Sequence, residues 1–142
     1  MGILTDLIMA TEAELAAVPK DKVPFNVLPG VDVKGMGLVA IAMLYAIMTG
    51  TEFDPGLADF PFVGEHPEDG PWANLLPDEF VRSLAQLDDP MLEDVAHQWA
   101  ATEELRLENW SFEDVHSRLG EVRTLAQRAI QEGKPIYIWT CL

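Results

Sequence analysis

The apolar positions fall into runs whose spacing changes along the chain. Residues Ile3 to Ala10 (ILTDLIMA) are apolar almost without interruption and include β-branched side chains, the pattern of a strand. Thr11-Glu12-Ala13-Glu14 reads as a capping box, in which the Thr11 hydroxyl accepts from the Glu14 amide while Glu14 reaches back. It predicts a short helix to about Val18, stopped by Pro19. Residues 19–33 hold three prolines and a Pro29-Gly30 turn and read as a loop. The apolar run over 36–49 has little polar face, so it predicts a central helix covered on most sides, with Gly50 as its C-terminal cap.

From Pro55 to Pro77 the periodicity disappears. Five of the ten prolines lie there with Gly56, Gly64 and Gly70, and Phe53, Phe60, Phe62 and Trp72 interleave with acids in and just before this stretch. That predicts a long irregular loop packed onto the body in the manner of an Ω-loop. Pro77-Asp78-Glu79 restarts a helix with proline at its first position, and Phe80, Val81, Leu84 and Leu87 form its apolar face. Asp89 as cap and Pro90 in the first turn open the next helix, which carries Met91, Leu92, Val95 and Trp99 and runs to about Glu104. Ser111 opens the longest helix. Phe112, Val115, Leu119, Val122, Leu125, Ala129 and Ile130 recur at steps of three and four, and Gly133 and Pro135 end it. Ile136 to Leu142 (IYIWTCL) is the strongest strand pattern and is expected to pair with the N-terminal strand.

The fold class that follows is α+β: one domain over residues 1–142, with about five helices around a buried central helix and a small sheet containing the N- and C-terminal strands. The length, and a composition that is 49% apolar, fit a domain that needs neither a metal nor a disulfide to fold. Cys141 is the single cysteine, so no intrachain bridge is available, and its apolar strand argues for a buried structural thiol over a nucleophile. The opening Met1-Gly2-Ile3-Leu4-Thr5-Asp6 lacks a basic stretch and predicts no signal peptide; a cytoplasmic location is the expectation. The uncharged run from Gly35 to Thr51 is shorter than the roughly 20 residues a bilayer requires, and small residues dilute it, so no membrane role is expected.

Charge divides the chain. Of 24 acids and nine bases, residues 35–105 hold fourteen acids and one base, Arg82, a net of −13 within a total of −15. Such a field repels phosphate backbones, which sets nucleic acid aside, and attracts cations or a basic protein partner. Acidity serving solubility alone is the plainer explanation of the same count.

Several landmarks taken in order resemble the YfbM-like family of small bacterial proteins of unknown function. They are the opening strand running into Thr11 to Leu15 (TEAEL), the central helix ending Ala46 to Gly50 (AIMTG), Gly70 to Phe80 (GPWANLLPDEF), and the last helix running through Glu132 to Pro135 (EGKP) into a terminal strand. The resemblance implies an α+β fold and carries no assigned activity. The chain departs from it in the central helix: aromatic and histidine residues are expected there, and this sequence has GLVAIAMLYAI with only Tyr45.

Three sets of residues bear on chemistry. Asp94 and His97, and Glu113 and His116, are carboxylate–histidine pairs three residues apart, each on one helix face, the skeleton of a di-metal site. The central helix supplies no acid to complete it, and Glu113 and Asp114 are accounted for by the first turn of their helix, so no metal and no cofactor are expected. Glu65-His66-Pro67-Glu68-Asp69 lies on the long loop, where it offers a general base on a mobile lid (Glu65, His66) or a weak cation site, with Glu68 and Asp69 as candidate binding residues, against the plain alternative of a solvated loop tip. Trp72 and Trp110, at a loop and a helix start, are either core anchors or exposed contacts of a binding surface. Three readings follow. The first is a non-catalytic binding protein, inhibitor- or immunity-like, that engages a basic partner through the acidic middle and the 53–77 loop. The second is a small enzyme with a pocket beneath that loop, using Glu65, His66, His97 or His116. The third is a structural module that forms a homodimer through an exposed terminal strand.

Overall fold

A computed structural model describes residues 4–19, 23–64, 68 and 71–141. Its two longest strands, β1 (Leu4–Met9) and β4 (Ile136–Cys141), pair antiparallel, with Asp6 opposite Trp139 and Ile8 opposite Tyr137. Two shorter strands flank them, β2 (Gly30–Asp32) beside β1 and β3 (Trp72–Leu75) beside β4, giving the order β2-β1-β4-β3 with every pairing antiparallel. The terminal strands are therefore the middle of the sheet, and its edges are β2 and β3. An exposed terminal strand, the feature on which the dimer reading leaned, is not what the fold presents.

Both added strands lie in segments whose prolines and glycines read as loop. Three or four residues are too few to show alternation, and the turn residues around them dominate the local pattern. Gly30 is required by close approach: a Cβ there would stand 2.5 Å from Leu7 O and 2.8 Å from Ile8 Cδ1. The outer edge of β3 is itself covered. Val63 N donates to Ala73 O (2.9 Å), Leu75 N to Pro61 O (2.8 Å), and Asn74 Nδ2 to Phe60 O (2.9 Å). The proline-rich loop is thus stitched onto the sheet by backbone bonds, and residues 72–75 of it are strand.

Six α-helices are found among the described residues: α1 (Glu12–Ala16), α2 (Leu38–Thr49), α3 (Asp78–Ala85), α4 (Asp89–Ala100), α5 (Glu103–Leu107) and α6 (Phe112–Glu132). The capping box of α1 forms as read, with Thr11 Oγ1 accepting from Glu14 N (3.1 Å) and Glu14 Oε1 from Thr11 N (2.9 Å). Pro77 precedes α3 as its N-cap rather than opening it. Asp88, one residue before the expected cap, accepts from Met91 N (2.8 Å) and starts α4. The helix expected to reach Glu104 breaks after Ala100, where the Thr102 hydroxyl donates to Trp99 O (2.7 Å) and α5 begins anew. That break makes the sixth helix.

One face of the sheet carries the main core. Leu7, Met9, Val31, Val33, Ile136 and Ile138 point from it into a core shared with α2, α3, α4 and α6, of which α6 packs directly on β1 and β2. Within α2, Ala40, Ile41, Ala42, Leu44 and Ala46 are buried, so the central helix is wrapped as its composition requires. Trp99 of α4 is fully buried and donates its indole N–H to Ala40 O (2.9 Å), and Tyr45 stacks on Phe80 at 4.6 Å. From α6, Arg123 donates to Leu87 O (3.1 Å) and Asp89 (2.9 Å), and Gln127 to Ala85 O (3.2 Å), locking the α3–α4 turn. No helix among the described residues is long and apolar enough to cross a membrane.

Candidate functional site

The other face of the sheet is covered by far less. Alternation along β4 sends Ile136 and Ile138 to the helices and Tyr137, Trp139 and Cys141 the opposite way. Across that outer face lie Ile8 and Ala10 of β1, and the only cover from the described residues is Leu15 of the short helix α1 together with Val23 and Leu28. A strand apolar on both faces with so slight a lid leaves space. A cavity of about 600 Å³ opens there.

Trp139 and Cys141 of β4 and Ala73 of β3 form its floor. Leu15, Ala16, Val18 and Pro19, with Val23 and Pro24, make one wall; Val63, Gly64, Pro71 and Trp72, the part of the loop bonded to β3, make the other. Trp139, Trp72, three prolines and several aliphatic residues line it, and Glu12 is the one carboxylate among the described lining residues. The Glu12 side chain has no hydrogen bond or ion pair among the described residues. It lies close enough to the buried Tyr137 phenol that burial, joined by the Glu12 charge, holds that hydroxyl above its ordinary pKa.

A second perturbed group shares this face. Asp6 is only 7% exposed and is paired in register with Asp32 of β2. Burial first, and the Asp32 charge second, push its carboxyl up from 3.8 to about 6. No hydrogen bond among the described residues relieves it, while Asp32 is engaged with the Lys34 amide at 2.8 Å. A smaller groove of about 550 Å³ runs between β2 and α6, but its charged residues Glu121 and Arg128 are already paired, with Arg118 and Glu132.

The residues singled out in the sequence are scattered across this framework. Glu65, His66 and Asp69 lie outside the described residues; Glu68 is an exposed turn residue. His97 and His116 both lie against Phe112: His97 stacks on its ring at 3.8 Å and 8°, and His116 tilts against it at 5.6 Å. Asp94 accepts from Gln98 Nε2 (2.9 Å). No group of three His, Cys, Asp or Glu among the described residues is placed to hold a metal. Neither histidine lines the cavity. Trp72 does, as a half-buried strand residue, whereas Trp110 is half-buried beside α6, with the Arg118 guanidinium 6.0 Å from its ring centroid. Cys141 is half-buried and lines the cavity, more open than a core thiol.

Glu12, Trp139 and Val63 were missed as site residues. A signal for them exists in the sequence: IYIWTC has apolar side chains on both faces, and the capping box predicts only a few residues of helix to cover one of them. No protein-family model, no curated protein and no solved structure matches the chain. The resemblance to the YfbM-like family thus rests on the sequence motifs alone.

Proposed function

We propose that the chain is a non-catalytic binding protein whose acidic helices engage a basic protein surface. One observation carries the reading. The described carboxylates between residues 35 and 105 are nearly all exposed, on α3, α4, α5 and the segment after α2, and Asp89 is the only one of them in an ion pair. The basic residues of α6 are meanwhile matched within the molecule, Arg118 to Glu121 and Arg128 to Glu132 as well as Arg123 to Asp89. Unneutralised charge on rigid helices speeds encounter with an oppositely charged surface, which suits an inhibitor- or immunity-type role in a cytoplasmic setting. The test is capture of partners from a lysate at about 50 mM and about 500 mM salt, where screening over a few ångströms should release them. The charge-reversing variant Glu93→Lys/Asp94→Lys should weaken capture at low salt. Capture indifferent to both salt and charge reversal would remove the proposal.

A second reading, the small enzyme, draws on the position of the cavity against Val63, Gly64, Pro71 and Trp72. Its described lining contains no histidine, so acid–base work there would fall to Glu12. Binding is the simpler use of that space.

A further inference from the structure

We infer that the cavity on the outer face of the sheet is a binding site for a small amine with an apolar, ring-containing body. The inference is independent of the acidic helices and of any protein partner. Three features of the cavity carry it. Its volume, about 600 Å³, lies in the range of small-molecule sites and is too confined for a protein face. Its described lining residues are apolar except at one place, and Trp139 brings an indole to its floor, so a flat ring buries its surface there without stranding a polar group. The exception is Glu12, an exposed carboxylate on the first turn of α1 with no partner of its own among the described residues. No lysine, arginine or histidine is among the described lining residues.

This charge pattern selects among ligands of one shape. Among the described lining residues an anion would meet a carboxylate and no cation. A neutral ring would gain the apolar contacts alone. An ammonium on a short tether gains the apolar contacts and, in addition, Glu12. The walls are fixed in place for this. One is fastened to β3 by the Val63–Ala73 and Leu75–Pro61 backbone bonds, and the other by the capping box of α1 and by Lys134, which bonds Glu14 at 3.1 Å.

Three probes with one body test the inference by titration calorimetry on the full chain: 2-(1-naphthyl)ethylamine, 2-(1-naphthyl)ethanol and 1-naphthylacetate. The amine should bind about three- to tenfold more tightly than the alcohol, and the acetate most weakly. Glu12→Gln should bring the amine to the affinity of the alcohol and leave the alcohol unchanged. Ala16→Trp, a change at an exposed wall position that leaves the core untouched, should weaken all three at least tenfold while far-ultraviolet circular dichroism stays constant. Acetate binding as tight as that of the amine, or an amine preference that survives Glu12→Gln, overturns the assignment of ligand class. Absence of saturable binding, or binding indifferent to Ala16→Trp, overturns the site. None of these outcomes touches the salt dependence of protein capture, so the two proposals fail separately.

Discussion

The two faces of the sheet are built from the same strands by simple alternation, yet they have different fates. On the helix side, Leu7, Met9, Ile136 and Ile138 are sealed beneath α2, α3, α4 and α6 in a core that extends to Trp99 and Leu119. On the outer side, Ile8, Ala10 and Trp139 form a small cluster that, among the described residues, lies under one five-residue helix and a few loop side chains. The shifted carboxyl of Asp6, the phenol of Tyr137 and the cavity all belong to the outer side. Strand propensity is blind to this difference. What decides it is how much chain is left over to cover each face, and here nearly all of the helical length goes to one.

The comparison is most exposed to test at its strongest point. Trp99→Ala removes a fully buried indole and its bond to Ala40 O, and a loss of about 3–5 kcal/mol is expected from urea unfolding. A loss below about 1 kcal/mol would mean that the helix side is not the dominant core.

Next in size is Asp6→Asn, which probes the thin side through pH. The folded carboxyl, at about 6, holds its proton more tightly than the unfolded chain does at 3.8. Below pH 3.8 both states are protonated and the group is neutral to stability. As pH rises from 3.8 to 6 the unfolded chain ionises first, so this residue destabilises the fold progressively, and above 6 the penalty is constant. Asp6→Asn should therefore raise stability at pH 7, on the order of 1–2 kcal/mol once partial solvation of the carboxyl is allowed for, and change nothing at pH 3.5. Equal effects at both pH values would remove the burial and Asp32 account of this carboxyl.

The fold was legible where punctuation coincided with periodicity. The Thr11 box, Gly50 and Gly133 as left-handed caps, and the stripe of α6 are local signals, and each element formed within a few residues of where they place it. Strands β2 and β3 were not legible, because they exist by pairing with β1 and β4 rather than by any pattern of their own. The break between α4 and α5 depends on one threonine hydroxyl reaching a carbonyl, which spacing alone does not announce. The site was hidden for a related reason. Histidines and acids draw attention in a sequence, whereas this cavity is made mostly of residues that look like core, and only the shortness of α1 betrays that they are incompletely covered.

A smaller effect sharpens the helix side. Thr5 is 1% exposed and its Oγ1 has no hydrogen-bond partner among the described residues; Thr140, directly opposite on β4, is in the same position. An isosteric methyl removes a desolvated hydroxyl and leaves packing intact, so Thr5→Val should stabilise by about 1 kcal/mol in thermal or urea unfolding. A loss instead would show that the hydroxyl is satisfied in solution.

The smallest expected change speaks most directly to the thin side. Leu15 is half-buried on α1, where it backs the Ile8–Trp139 cluster and lines the cavity. Complete burial of a leucine side chain contributes roughly 1.5–3 kcal/mol, so a half-covered one contributes about half of that. Alanine returns a little through helix propensity, and no sealed void forms because the space is already open. Leu15→Ala should thus lose about 1 kcal/mol or less in urea unfolding, with an unchanged denaturant slope. A loss near 3 kcal/mol, the value of a core leucine, would mean that this wall is shut against the sheet and that the outer face is a second core with no room for a ligand.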